Sequence, residues 1–96
     1  MELQKRHVQI GRLVATPAAI DCCSQGRILE CVERHTQGDW GELSREDAAA
    51  NDAALLTGDR VLSAYPIHPE EPAKGKFWIV TEHDRSVTTV LLPSEY

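Results

Sequence analysis

The sequence has few of the features that mark a membrane, secreted or nucleic-acid-binding protein. It contains no run of about 18 apolar residues that could span a bilayer, and its first ten residues, MELQKRHVQI, lack the apolar stretch of a signal peptide. Basic residues are also scarce, since 10 Lys and Arg stand against 15 Asp and Glu, for a formal net charge of -5. We therefore expect a cytoplasmic protein that does not bind membranes and that binds nucleic acid only through a local basic patch.

The cysteines form neither a disulfide framework nor a clear metal motif. Cys22, Cys23 and Cys31 are odd in number and lie close together in the sequence, unlike the cysteines of small secreted domains. Cys31 and His35 stand four residues apart, a spacing that can place two zinc ligands on one helix face, but no CxxC pair completes the set. The sequence also has no glycine-rich phosphate loop. It therefore favours free thiols, no metal and no cofactor, and it leaves the reactivity of the thiols open.

Helix caps and breakers divide the N-terminal half into a strand and short helices. Polar and apolar residues alternate between His7 and Thr16, which predicts a strand with a bend at Gly11. Thr16 is a good N-cap and is followed by a proline, so a helix should begin there. We expect Gly26 to end that helix and a second helix to run to about His35.

A third helix is predicted from its two ends. Ser44 and Asp47 form an acidic variant of the capping box, and Gly58 is typical of a C-cap. Asn51 should lie at the edge of the buried face of this helix, where its amide needs a hydrogen-bond partner. The loop before this helix contains Trp40, which is most simply a plug over the core.

After the third helix the periodicity changes to two. Three segments rich in β-branched and aromatic residues follow, RVLSAYPI, KFWIVTE and SVTTVLLP, and their spacing predicts an antiparallel meander. A chain of 96 residues is expected to form one domain over residues 1-96. We predict an α+β fold, in which an N-terminal strand and two or three short helices pack on one face of a three- to four-stranded antiparallel sheet.

Four stretches together support a family resemblance. They are GRLVATP from Gly11, RH and GDWGEL between Arg34 and Leu43, LSAY from Leu62, and WIVTEHDRSVTTVLLPSEY at the C-terminus. In this combination the chain resembles a family of short, largely uncharacterised bacterial proteins found in plasmid and mobile-element settings. The resemblance covers nearly the whole chain and implies no mechanism. The proline-rich loop from Pro66 to Gly75 and the cysteines depart from the family pattern.

The order of helices and meander is also similar, at the level of fold alone, to small metal-independent ribonucleases of the barnase, colicin and RelE-like toxin kind. Such enzymes need a base, a phosphate clamp and an acid. The candidate catalytic residues are Glu82 as base, Arg85 as clamp, and His35 or His83 as acid. The side chains that could hydrogen-bond phosphate from neighbouring strands are Ser63, Tyr65, Thr88 and Thr89.

Simpler structural roles account for the same residues. The segment from Glu82 to Arg85 can be a hairpin turn in which Asp84 bonds the backbone and Glu82 pairs with Arg85, a kind of exposed pair that contributes roughly 0 to 1 kcal/mol. His35 can be a charge at a helix C-terminus. The turn is the better supported of the two interpretations, because turns are usually polar and the chain as a whole is acidic.

The leading prediction is a binding or accessory protein that acts through the open sheet face and the loops around Trp40 and Glu82. The candidate binding residues are Asp39, Trp40, Ser63, Tyr65 and Thr88. Trp40 flanked by carboxylates is typical of a protein-binding loop, although Trp40 and Trp78 could also stack on bases. The expected partner is a protein, and the chain could be a monomer or a homodimer. A dimeric structural module would place an apolar patch on the open sheet face. Whether the protein is an enzyme stays open.

Overall fold

A computed structural model describes residues 8–96 of the chain. His7, the predicted start of the first strand, therefore lies outside the described residues, as does most of the N-terminal stretch that was compared with a signal peptide. The elements in chain order are β1 (Arg12–Ala15), α1 (Pro17–Cys22), α2 (Gln25–Thr36), α3 (Arg45–Thr57), β2 (Val61–Pro66), β3 (Lys76–Thr81) and β4 (Val87–Leu91). Two single 3-10 turns follow β2 and β4, at Pro72–Lys74 and Pro93–Glu95. The predicted α+β class is confirmed.

The four strands form one mixed sheet in the order β1-β4-β3-β2. The meander from β2 to β4 is antiparallel as predicted, whereas β1 lies parallel to β4. Gly11 precedes β1 with φ 58°, and a Cβ there would overlap the backbone carbonyl oxygens of Arg85 and Ser86. The bend at glycine thus allows the start of β1 to lie directly against the turn before β4.

Side-chain caps fix the helix boundaries. The hydroxyl of Thr16 accepts a hydrogen bond from the Ala19 amide, and that of Ser44 accepts one from the Asp47 amide. Gly58 ends α3 in the left-handed conformation, at φ 83°. These three caps confirm the predicted ends. The prediction that Gly26 ends the first helix was wrong, because Ser24 caps α2 and Gly26 lies inside its first turn.

The main core lies between one face of the sheet and the first two helices. Ala19 of α1 and the apolar face of α2 pack on the inner face of the strands. The sheet residues in this cluster are Tyr65, Phe77, Ile79 and Val90. Cys23 and Cys31 are buried in the same cluster as free thiols. A smaller cluster joins Trp40 to α3 and the start of β2, which confirms Trp40 as a core plug.

The outer edge of β2 is covered by hydrogen bonds. The Asn51 side chain donates to the Leu62 carbonyl at 2.6 Å and accepts from the Leu62 amide at 3.2 Å. Ala64 exchanges backbone hydrogen bonds with the loop around Trp40, and Arg27 donates to the Pro66 carbonyl. The hydrogen-bond partner predicted for Asn51 is thus the backbone of the edge strand β2, and this pairing holds α3 beside β2.

Candidate binding surface

A groove of about 510 Å³ runs between α3 and the outer face of the sheet, the face opposite the main core. Its lining residues are Leu43, Asp47, Ala50, Asn51, Ala53, Ala54, Thr57, Asp59, Arg60, Leu62 and Trp78. Ligand-binding pockets commonly have volumes of about 300 to 1,000 Å³. The groove is therefore large enough to hold one or two side chains of a partner.

Leu62 and Trp78 form the floor of the groove. They lie on the outer face because each alternates along its strand with residues of the inner face, and both are only partly buried. The Trp78 ring packs edge-on against Tyr96, with 5.5 Å between the centroids. The Arg60 guanidinium in turn lies over the Tyr96 ring, 5.0 Å from its centroid. The indole is therefore supported on one side and open toward α3.

The wall of the groove is built from small side chains. Ala50 and Ala53 are exposed on α3, and Asn51 between them is fixed by its two bonds to the β2 backbone. The charged side chains in the lining are Asp47, Asp59 and Arg60. A wall of alanine leaves space that larger residues would fill, so the apolar floor remains accessible.

The inner face of the sheet carries a buried chain of polar side chains centred on His35. Its Nδ1 lies 2.6 Å from Ser63 Oγ and its Nε2 lies 2.8 Å from Thr81 Oγ1. The chain continues from Thr81 to Thr88 at 2.7 Å, and Thr88 donates to the Ile10 carbonyl. All four side chains are fully buried. The network joins α2 to three strands in the interior.

His35 is neutral in this environment. Burial, with a smaller effect from the positive charge of Arg85, lowers the pKa of His35 from 6.5 to about 4. A neutral imidazole has one donor and one acceptor nitrogen, so the two hydroxyls around it take opposite roles. His35 therefore acts as a structural hydrogen-bonding residue, and both of its nitrogens are occupied.

The segment from Glu82 to Arg85 forms the predicted hairpin turn. The Asp84 carboxylate accepts bonds from the Ser86 hydroxyl and amide, and these bonds lower the pKa of Asp84. Arg85 has φ 60°, and its guanidinium donates to the carbonyls of Glu82, Asp59 and Ala54. Arg85 thus bonds the Glu82 backbone and ties the turn to the C-terminus of α3, in place of the predicted pair with the Glu82 carboxylate.

The loop around Trp40 brings several of the predicted binding residues together. Arg34 donates two hydrogen bonds to the Asp39 carboxylate, at 2.8 and 3.2 Å, and this pairing lowers the pKa of Asp39. The Tyr65 hydroxyl donates to the Asp39 carbonyl at 2.7 Å, and burial raises the pKa of Tyr65. The Trp40 indole donates to Asp52. In this arrangement Asp39 stays half exposed, while Trp40 and Tyr65 are buried.

The candidate catalytic residues occupy two different environments. His35 is enclosed with Ser63 and Thr88 inside the protein, whereas Glu82, His83 and Arg85 belong to the turn, and His83 is exposed. An acid must reach the leaving oxygen of its substrate, and His35 has no accessible surface from which to do so.

Sequence reasoning did not identify the groove residues Ala50, Ala53 and Arg60. The available signal was the alanine-rich stretch of α3, whose opposite faces differ little in polarity. The sequence of such a helix shows no single apolar stripe, so the wall of the groove has no distinct local pattern.

Within residues 8–96, no three His, Cys, Asp or Glu side chains are grouped as metal ligands. In the same range, none of the helices has both the length and the apolarity of a membrane span. Comparison of the chain with protein-family models, with curated proteins and with solved structures gives no match.

Proposed function

We propose that the chain is a cytoplasmic binding or accessory protein of a mobile-element family, and that it holds a segment of a partner protein in the groove between α3 and the outer sheet face. The observation that carries the proposal is the floor of Leu62 and Trp78 beside a wall of alanine. Partly exposed tryptophan in a concave site is a frequent anchor of protein interfaces. The free thiols of the chain are in keeping with a reducing compartment.

The lining indicates the chemistry of the partner. An aromatic or branched aliphatic side chain fits the apolar floor. The charged residues of the lining carry a net negative charge, because there are two carboxylates, Asp47 and Asp59, and one cation, Arg60. The chain as a whole has a formal charge of -5. A segment with an apolar anchor next to Lys or Arg would therefore be attracted to this surface.

The test uses affinity capture from the native cell with three baits. Ala50→Glu introduces a long charged side chain into the groove wall, whereas Ala49→Glu makes the same change at an exposed neighbour outside the lining. We expect wild type and Ala49→Glu to capture the same protein, and Ala50→Glu to bind that protein at least about tenfold more weakly in titration of the purified pair. Equal binding by all three baits would contradict the proposal.

The ribonuclease alternative receives no support from a specific contact, because His35 is enclosed and the Arg85 guanidinium bonds three backbone carbonyls. A cleavage assay on RNA with wild type and Glu82→Gln decides it. We expect no cleavage by either protein. Cleavage by wild type that is lost in Glu82→Gln would replace the binding proposal with an enzymatic one.

A further inference from the structure

The two edges of the sheet differ in how their backbone groups are satisfied. At the β2 edge, Asn51, the loop around Trp40 and Arg27 supply hydrogen bonds. At the opposite edge, β4 is the one neighbour of β1 among the strands of residues 8–96. The Arg12 and Thr16 amides donate toward the β4 side, at 3.0 and 2.9 Å. Backbone groups alternate in direction along a strand, so Val14 also points its groups toward β4, and the two other residues between Arg12 and Thr16 point theirs away from the sheet.

Those residues are Leu13 and Ala15. Within residues 8–96, no hydrogen bond reaches their amides or carbonyls from the outer side. Beside them lies an apolar cavity of about 350 Å³ that includes Ile20 and Ile28. Leu13 is 37% exposed and Ile20 is 58% exposed. An open strand edge next to exposed apolar side chains is a template for pairing with another strand.

We propose that this edge pairs with β1 of a second copy of the chain, antiparallel across a two-fold axis, to give a continuous eight-stranded sheet. Only residues with outward-pointing groups can form the hydrogen-bonded pairs of an antiparallel ladder. An axis at Val14 sets Leu13 of each copy against Ala15 of the other and forms four backbone hydrogen bonds. An axis at Leu13 would use Gly11, which has a positive φ, and an axis at Ala15 would use Pro17, which has no N–H.

Charge complementarity favours a second copy as the occupant. In the register centred on Val14, Arg12 lies opposite Thr16 of the second copy. The Thr16 hydroxyl donates to the Glu95 carboxylate at 2.8 Å, so a carboxylate lies beside the position that Arg12 would face. Side chains directly opposite in an antiparallel pair have Cβ atoms about 4.5 to 5.5 Å apart, within reach of an arginine. The two-fold axis creates this contact twice.

The apolar side chains agree with the same register. Leu13 and Ala15 lie on the face of the sheet that carries the helices, where α1 presents Ile20. Opposing the large Leu13 side chain with the small Ala15 of the other copy avoids a clash and brings the two apolar cavities together. The homodimer does not involve the groove beside α3, so a test that rejects the dimer leaves the proposed partner site unaffected, and the reverse also holds.

The test is sedimentation equilibrium of the purified chain over a range of concentrations up to the millimolar level. We expect a monomer–dimer equilibrium in wild type. Arg12→Glu should weaken the dimer by about tenfold or more, whereas Arg45→Glu, the same charge change at an exposed site on α3, should leave it nearly unchanged. Leu13→Asp should also weaken the dimer, and the double variant Arg12→Glu with Glu95→Arg should restore it.

Glu95 also bonds the Leu92 amide, so Glu95→Gln, which keeps an acceptor oxygen and removes the charge, provides a second variant if the double variant does not fold. It should weaken the dimer in the same direction as Arg12→Glu. A wild type that stays monomeric throughout, or a dimer that Arg12→Glu and Leu13→Asp weaken no more than Arg45→Glu does, would overturn the proposal.

Discussion

At the scale of single residues, the enclosed imidazole of His35 makes stability depend on pH. The unfolded chain binds a proton at His35 with a pKa of 6.5, whereas burial lowers the pKa in the folded chain to about 4. Between these values the unfolded state binds more protons, so the free energy of unfolding falls as the pH falls. Below about pH 4 this effect of His35 is complete.

We predict a loss of about 2 kcal/mol in the free energy of unfolding between neutral pH and pH 5 from this residue. Denaturant unfolding at the two pH values measures the loss. His35→Gln should remove most of the difference, and His83→Gln, an exposed histidine, should retain it. An NMR titration of His35 in the folded protein that centres near pH 6.5 would contradict the account.

Local chemistry made some residue roles predictable. Asp84 was expected to bond the backbone of its own turn, and the Ser86 amide is two residues away, so the sequence contains both partners. The partners of His35 are 28 and 46 residues distant. No local pattern indicates which hydroxyl a histidine will meet across a sheet, which explains why this residue was assigned to a helix end or to catalysis.

At the scale of elements, the Asn51 side chain joins α3 to the edge of the sheet. Asn51 pairs with both backbone groups of Leu62, in the way that a neighbouring strand would. Removing the Asn51 side chain leaves the Leu62 amide and carbonyl without these hydrogen bonds. The site is largely closed to water, since Asn51 is only 7% exposed.

We predict that Asn51→Ala lowers the free energy of unfolding by about 2 to 3 kcal/mol. Leu56→Ala is the matched control on the same helix, because Leu56 is 91% exposed, and it should change stability by less than about 0.5 kcal/mol. Chemical denaturation measures both. An equal effect of the two substitutions would show that the Asn51 contact does not hold α3 in place.

Helix ends were predictable and strand pairing was only partly so. Thr16, Ser44 and Gly58 act on neighbouring residues, so their capping roles are encoded locally. The meander followed from the spacing of three segments with a periodicity of two. The parallel pairing of β1 with β4 joins residues 75 apart, such as Arg12 and Val87, and depends on how α1 and α2 pack across the sheet. The prediction of a helix end at Gly26 was wrong because a helix tolerates glycine in its first turn when a residue such as Ser24 caps it.

At the scale of the whole molecule, the two sheet edges and the two sheet faces have different roles. The inner face is filled by α1 and α2, and the β2 edge is covered by α3 and the loop around Trp40. The outer face has a groove, and the β1 edge has backbone groups that no other group of the described residues pairs. The groove lies toward the β2 end of the sheet, and the open edge lies at its other end, at β1. A dimer through β1 would therefore leave both copies of the groove open to partners.

The groove itself was not predictable from sequence, although an open sheet face was. Its floor comes from β2 and β3, and its wall comes from α3. The width of the space between them depends on the Asn51 contact and on the tie from Arg85 to the C-terminus of α3. Both contacts are tertiary, so the pattern of apolar residues alone could not locate the groove.

The most direct test of the proposed function is chemical-shift mapping of the isotope-labelled chain during titration with the captured partner protein. We predict that the amide signals of Ala50, Ala53 and Leu62 and the indole signal of Trp78 shift, while those of the turn from Glu82 to Arg85 stay in place. Shifts confined to that turn or to the loop around Trp40, with the groove signals unchanged, would contradict the account.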